Sequence, residues 1–124
     1  MKQGNIIFIH LNNSIAPYST SSYTYNTIPE YFLHVLKYTK KFNYNIHFLG
    51  HSQDIDKIDE SIQCFDIQKY SNYIQEITDK LKTNFPEQIK DDFWFLTTIR
   101  LFLVNRYIHE NKLDNTIHLE GDNI

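Results

Sequence analysis

Asn5 to Leu11 is a short, mostly continuous apolar run that contains the β-branched residues Ile6, Ile7 and Ile9 and is interrupted by His10. A run of this length suits a strand covered on both faces, so a strand is expected over Ile6–Leu11. A long polar stretch follows, Asn12 to Asn26, rich in Ser, Thr, Tyr and Asn. Connections of this length in compact domains are more often functional than idle. Phe32, Val35, Leu36 and Thr39 then recur at helical spacing. They predict an amphipathic helix over Ile28–Lys41, opened by a capping box from Thr27 to Glu30. Strand composition returns over Tyr44–Leu49 and stops at Gly50, and a weaker strand is expected over Ile62–Ile67. The polar, acidic stretch between them, His51 to Glu60, is read as a loop or a short helix.

Tyr70, Tyr73, Ile74, Ile77 and Leu81 lie at i, i+3, i+4, i+7 and i+11, one face of a helix that Pro86 must end. Asp91-Asp92 suit the start of the next helix, where carboxylates meet unpaired amides and the positive end of the dipole. That helix should run to about Glu110 and is apolar nearly all round through Val104, which reads as a core helix. Asn115–Leu119 is a final strand. Strands alternating with helices point to an α/β fold with a mostly parallel sheet and flanking helices.

Composition narrows the class. The chain has 124 residues, 41% hydrophobic and 15% aromatic, with three Gly and three Pro. A single domain of this size buries roughly two-thirds of its unfolded surface, enough for a core without staples. Twelve basic and fifteen acidic residues leave a net charge of −3, and no basic cluster exceeds Lys40-Lys41. Binding to nucleic acid by phosphate neutralisation is not expected. The run Phe93 to Val104 is too short to cross a bilayer and contains Arg100, so no membrane span is expected. One cysteine, Cys64, permits no internal disulfide and is read as a small buried hydrophobe in a reduced, cytoplasmic protein. The preference for Lys, Asn, Ile and Tyr is what AT-rich codons produce, as in some large DNA viruses or AT-rich protists.

Glycines at positions 4, 50 and 121 alone cannot spell a dinucleotide fingerprint or a P-loop. What remains is C-terminal. On an extended strand His118, Glu120 and Asp122 share a face at the carboxyl end, where open α/β sheets place ligands. Two carboxylates at this spacing can hold a hard divalent cation, and the same pattern also describes a solvated turn. Arg100 stands in a segment too apolar for an unpaired guanidinium. It either holds a phosphate or carboxylate ligand, or snorkels to the surface, or pairs structurally with Asp92, Glu120 or Asp122. The histidines at 10, 34, 47, 51 and 109 are scattered and read as packing or surface residues. Tyr18, Tyr23 and Tyr25 in the long polar stretch are candidates to stack on a base.

The stretch Asp92-Phe93-Trp94-Phe95-Leu96-Thr97-Thr98-Ile99-Arg100-Leu101-Phe102, followed by Ile117-His118-Leu119-Glu120-Gly121-Asp122-Asn123, resembles GT-A glycosyltransferases. In that family a helix bearing Arg precedes a hydrophobic strand ending in an Asp-x-Asp motif; here Glu replaces the first Asp. The resemblance implies a Rossmann-like, GT-A-like fold. It makes Asp122 and Glu120 ligands of Mn2+ or Mg2+, with Glu120 also near the ribose. Arg100 faces the phosphates of a nucleoside-diphosphate sugar, and the loop from Asn12 lies along the nucleotide. The family's acceptor and catalytic groups follow this motif, so residues 1–124 are expected to form a donor-binding half-domain, truncated or degenerate; a separate reading is an enzyme completed by a partner chain. The competing expectation is a non-enzymatic α/β interaction module. In either case the last strand leaves an open edge that invites a partner chain or self-association.

Overall fold

The computed structural model describes residues 2–19 and 28–119. Four strands, β1 (Asn5–Ile9), β2 (Asn45–Gly50), β3 (Gln63–Asp66) and β4 (Thr116–Leu119), form one sheet in the order β3-β2-β1-β4. All three pairings are parallel, with Ile6 in register with Ile46 on one side and Ile117 on the other. The α/β fold with a parallel, Rossmann-like sheet is therefore as expected. The strands alternate with α1 (Glu30–Thr39), the short α2 (Ser52–Ile55), α3 (Ser71–Asn84) and α4 (Asp92–Glu110).

Strand alternation sorts the apolar residues into two cores. Ile6 and Phe8 of β1 join Ile46, Phe48 and Ile62 under Phe32 and Leu36 of α1. Ile7 and Ile9 point the other way and join Leu49, Ile77 and Leu81 of α3, and Phe95, Ile99, Leu103 and Tyr107 of α4. Both faces are covered, which is why the central strands read as continuous apolar runs. The third and fourth helices pack antiparallel: Tyr73 lies under Arg106 near one end and Phe85 against Trp94 near the other.

Local chemistry explains the helix ends. Asp91 caps α4, its carboxylate accepting from the Phe93 and Trp94 amides at 2.9 and 3.2 Å. The third helix stops at Asn84, two residues before Pro86. Three expectations need correction. The first helix begins at Glu30 with Pro29 at its N-cap and no side-chain cap bond, so the Thr27–Glu30 capping box does not open it; Thr27 lies outside the described residues. Its proline replaces the cap by fixing φ at −63°. The fourth helix is not enclosed: Phe93, Leu101 and Phe102 are exposed, because the sheet and α3 cover only part of its circumference. Cys64 is exposed rather than buried. Its register partner Phe48 is fully covered by α1, whereas β3 lies at the sheet edge beyond that cover.

His47 is a packing residue with polar obligations. It is 3% exposed, with Nδ1 2.8 Å from the Tyr107 hydroxyl and Nε2 2.9 Å from Asn5 Oδ1. Asn5 Nδ2 in turn donates to the Asp114 carbonyl at 2.8 Å. This network ties β1, β2, α4 and the entry to β4 together at the amino edge of the sheet.

Candidate functional site

Parallel strands deliver all their carboxyl ends to one edge, and the order reverses at β1, between β2 and β4. In open α/β sheets ligands bind at this edge, where neighbouring loops diverge. Here β1 exits into His10-Leu11-Asn12, β2 into His51, β3 ends at Asp66 and β4 at Leu119.

Asn12 is 5% exposed. Its side-chain oxygen accepts from the Ser14 amide at 3.0 Å and from the Ser14 hydroxyl, capping a single 3-10 turn over Asn13–Ile15. Its backbone N–H donates to His51 Nε2 at 3.1 Å, tying the exit of β1 to that of β2. The acceptor role of Nε2 places the proton of a neutral His51 on Nδ1. Burial holds the His51 pKa below its ordinary value, against the opposing charges of Asp54 and Asp66.

Asp54 of α2 is completely buried. One carboxylate oxygen accepts from the Ile28 amide at 2.7 Å, holding the entry to α1, and the other has no hydrogen-bond partner among the described residues. His10 packs edge-on against Phe32 with centroids 5.7 Å apart. Its pKa is lowered chiefly by burial; Asp54 acts to raise it, while His51 and Arg100 act to lower it. His10, His51, Asp54 and Arg100 therefore share one electrostatic neighbourhood. Both imidazoles are held toward their neutral forms.

Arg100 is half-buried on α4, next to the fully buried Ile99, and its Nε is shielded from solvent. Its charge is felt at His10, at the carboxyl end of the central strand. His118 is in register with Ile7 and so faces α4. Glu120 and Asp122 lie outside the described residues, as do Tyr23 and Tyr25. Among the described residues no three His, Cys, Asp or Glu side chains come together as a metal ion would require. No helix among them is long and apolar enough to cross a membrane.

A cavity of about 600 Å³ opens beside His51. Ile15 and Pro17 from the β1 exit and Ile67 and Ile74 supply apolar walls, and Ser52, Asp66, Gln68, Ser71 and Gln75 supply hydrogen-bonding groups. Lys82 also lines it, with its ammonium 5.5 Å from the centre of the exposed Tyr18 ring. An apolar slot with a few convergent polar groups suits a flat heteroaromatic ring better than a fully hydrated ion. The structure thus brings Asn12 and Arg100 to the same edge, and neither of them lines the cavity. His10, His51 and Asp54 also gather at this edge, and of the three His51 alone lines the cavity. The available signal was positional: His10 and His51 each stand directly after a strand.

The comparisons with known proteins return nothing: no protein-family model, no curated protein and no solved structure matches this chain.

Proposed function

We propose that the carboxyl edge of the sheet binds a nucleoside diphosphate or its sugar, as in the donor-binding half of a GT-A-like glycosyltransferase. The observation that carries this reading is the cavity of about 600 Å³ at the carboxyl ends of β2 and β3, reached by the loop leaving the central strand. The base would lie between Ile15, Ile67 and Ile74, its edge meeting Ser52, Gln68 or Gln75. The diphosphate would extend past His51 toward Arg100, whose guanidinium suits phosphate oxygens. Asn12 would act by shaping the turn that carries Ile15 into the cavity wall. Glu120 and Asp122, the two residues assigned to Mn2+ or Mg2+, directly and closely follow β4 in sequence, and the metal part of the reading rests on them alone. No described side chain is assigned a catalytic role.

The test is a titration of nucleoside diphosphates followed by amide chemical shifts, with and without Mn2+ replaced by diamagnetic Mg2+. Expected are weak binding, shifts confined to residues 51–53, 66–75 and the loop after β1, and loss of binding in Gln75→Leu and Arg100→Gln. Binding that is indifferent to Mg2+ and to Asp122→Ala would remove the metal and keep the nucleotide site. No shifts at millimolar ligand in folded protein would reject the reading and favour the α/β interaction module.

A further inference from the structure

One wall of the cavity beside His51 is carried by the single 3-10 turn after β1. Ile15 at the end of that turn and Pro17 just beyond it supply the wall. The turn is held in two ways. From within, the Asn12 side-chain oxygen accepts from the Ser14 amide and hydroxyl. From outside, the Asn12 backbone N–H donates to His51 Nε2 at 3.1 Å, fastening the turn to the exit of β2.

The outer bond exists only while Nε2 keeps its lone pair. A neutral His51 with its proton on Nδ1 accepts there, whereas an imidazolium has a donor at both nitrogens and would set N–H against N–H. Asn12 is buried, so its amide cannot exchange His51 for water where it stands, and a buried donor without an acceptor is costly. Either the ring stays neutral or the segment moves. Around the ring, Asp54 of α2 and Asp66 at the end of β3 act to raise its pKa against the burial that lowers it. Asp54 is fully buried, with one carboxylate oxygen lacking a hydrogen-bond partner among the described residues. His10, at the exit of β1, is the neighbouring imidazole; His51 and Arg100 of α4 both act to lower its pKa, so a charge on His51 holds His10 neutral. Lys82 of α3 lines the same cavity.

We propose that His51 is an acid-released latch on the cavity wall. A proton taken from water onto Nε2 occupies the lone pair that held the Asn12 amide, while the proton on Nδ1 stays in place. The Asn12–His51 bond breaks, the turn moves away from the exit of β2 until the Asn12 amide reaches water, and Ile15 and Pro17 leave the wall. The imidazolium stays beside the carboxylates of Asp54 and Asp66, which offset its charge. What precedes the turn does not titrate: the His10 amide donates to the Leu49 carbonyl at 3.0 Å, and Leu11 is buried. Release is therefore confined to the segment from Asn12 to Pro17. In acid the cavity loses one wall, and affinity falls for any ligand that uses it. The latch acts whatever the cavity binds and does not rest on the nucleotide reading.

The experiment is nitrogen NMR of the ligand-free chain, titrated from about pH 8 to about pH 5, across the ordinary histidine range. At the alkaline end His51 is expected with its proton on Nδ1 and with a scalar coupling across the hydrogen bond, from the Asn12 amide nitrogen to Nε2. As His51 protonates, that coupling should vanish and the protection of the Asn12 amide against hydrogen exchange should fall about tenfold. The Ser14 and Ile15 amides should shift with the same midpoint, while the amides of Ile7, Phe8 and Phe48 keep their protection. His51→Gln, which can accept but not titrate, should show no such step in Asn12 protection; the wild-type measurements decide alone if this variant fails to fold. The proposal is overturned by a neutral ring protonated on Nε2, or by an Asn12 amide that stays coupled and protected once His51 is charged. Loop shifts that follow the His10 midpoint overturn it too, as does loss of the sheet amides together with Asn12, or an unchanged step in folded His51→Gln.

Discussion

Removing one hydroxyl should measure how much the polar network at the amino edge contributes. Asn5 Oδ1 can only accept, so His47 Nε2 carries the proton facing it, given the amide orientation that also lets Asn5 Nδ2 donate to the Asp114 carbonyl. Burial lowers the His47 pKa, so the ring is neutral at pH 7 and Nδ1 accepts from the Tyr107 hydroxyl at 2.8 Å. The donors then run in one direction, from Tyr107 to His47 to Asn5 to Asp114. Tyr107→Phe keeps the aromatic packing, including the edge-on contacts with His47 and Phe65, and leaves Nδ1 buried without a donor. A buried acceptor stripped of its partner costs about 1–3 kcal/mol. With an unfolding entropy of roughly 2.1 cal/mol/K per residue, the 124 residues lose about 4 °C of midpoint per kcal/mol. The variant should therefore melt about 4–12 °C lower, with a matching fall in urea midpoint. His47→Leu combined with Tyr107→Phe removes both ends of the bond, so a double-mutant cycle should show coupling of about 1 kcal/mol or more. An unchanged midpoint in Tyr107→Phe, or a cycle that closes without coupling, would refute the network as a stabilising element.

Two further perturbations test other links. His10, His47 and His51 all have pKa values lowered mainly by burial. Below an unfolded value of about 6.5 the unfolded chain takes up protons first, so stability is complete above that pH and is lost as the pH falls through it. The urea midpoint should drop between about pH 7.5 and about pH 5.5, and a flat profile across that window would contradict the buried, neutral assignments. Gly4→Ala would place a methyl carbon 2.4 Å from the Asn115 carbonyl oxygen. Neither backbone can yield there without disturbing the β1–β4 register, so a loss of about 1–3 kcal/mol is expected; a neutral variant in the same urea assay would mean the junction is looser than described.

Much of the fold was legible from periodicity. Short apolar runs located four strands, the 3.6-residue spacing located α1 and α3 by the side of the element each residue occupies, and a long apolar run after Asp91-Asp92 located α4. Asp91 announced the start of α4 because a capping carboxylate acts within three residues. What periodicity does not encode is which elements become neighbours. Cys64 and Phe48 have similar local settings, yet the first is exposed and the second enclosed because β3 is an edge and β2 is not. Phe93 and Leu101 looked like core in a helix apolar nearly all round, and only the positions of the sheet and α3 decided which side of that helix remained uncovered. Arg100 and Asn12 were expected at the carboxyl edge through the resemblance to GT-A glycosyltransferases. His10, His51 and Asp54 come together there only once β1 and β2 lie side by side, bringing residues some forty positions apart in sequence into one electrostatic neighbourhood.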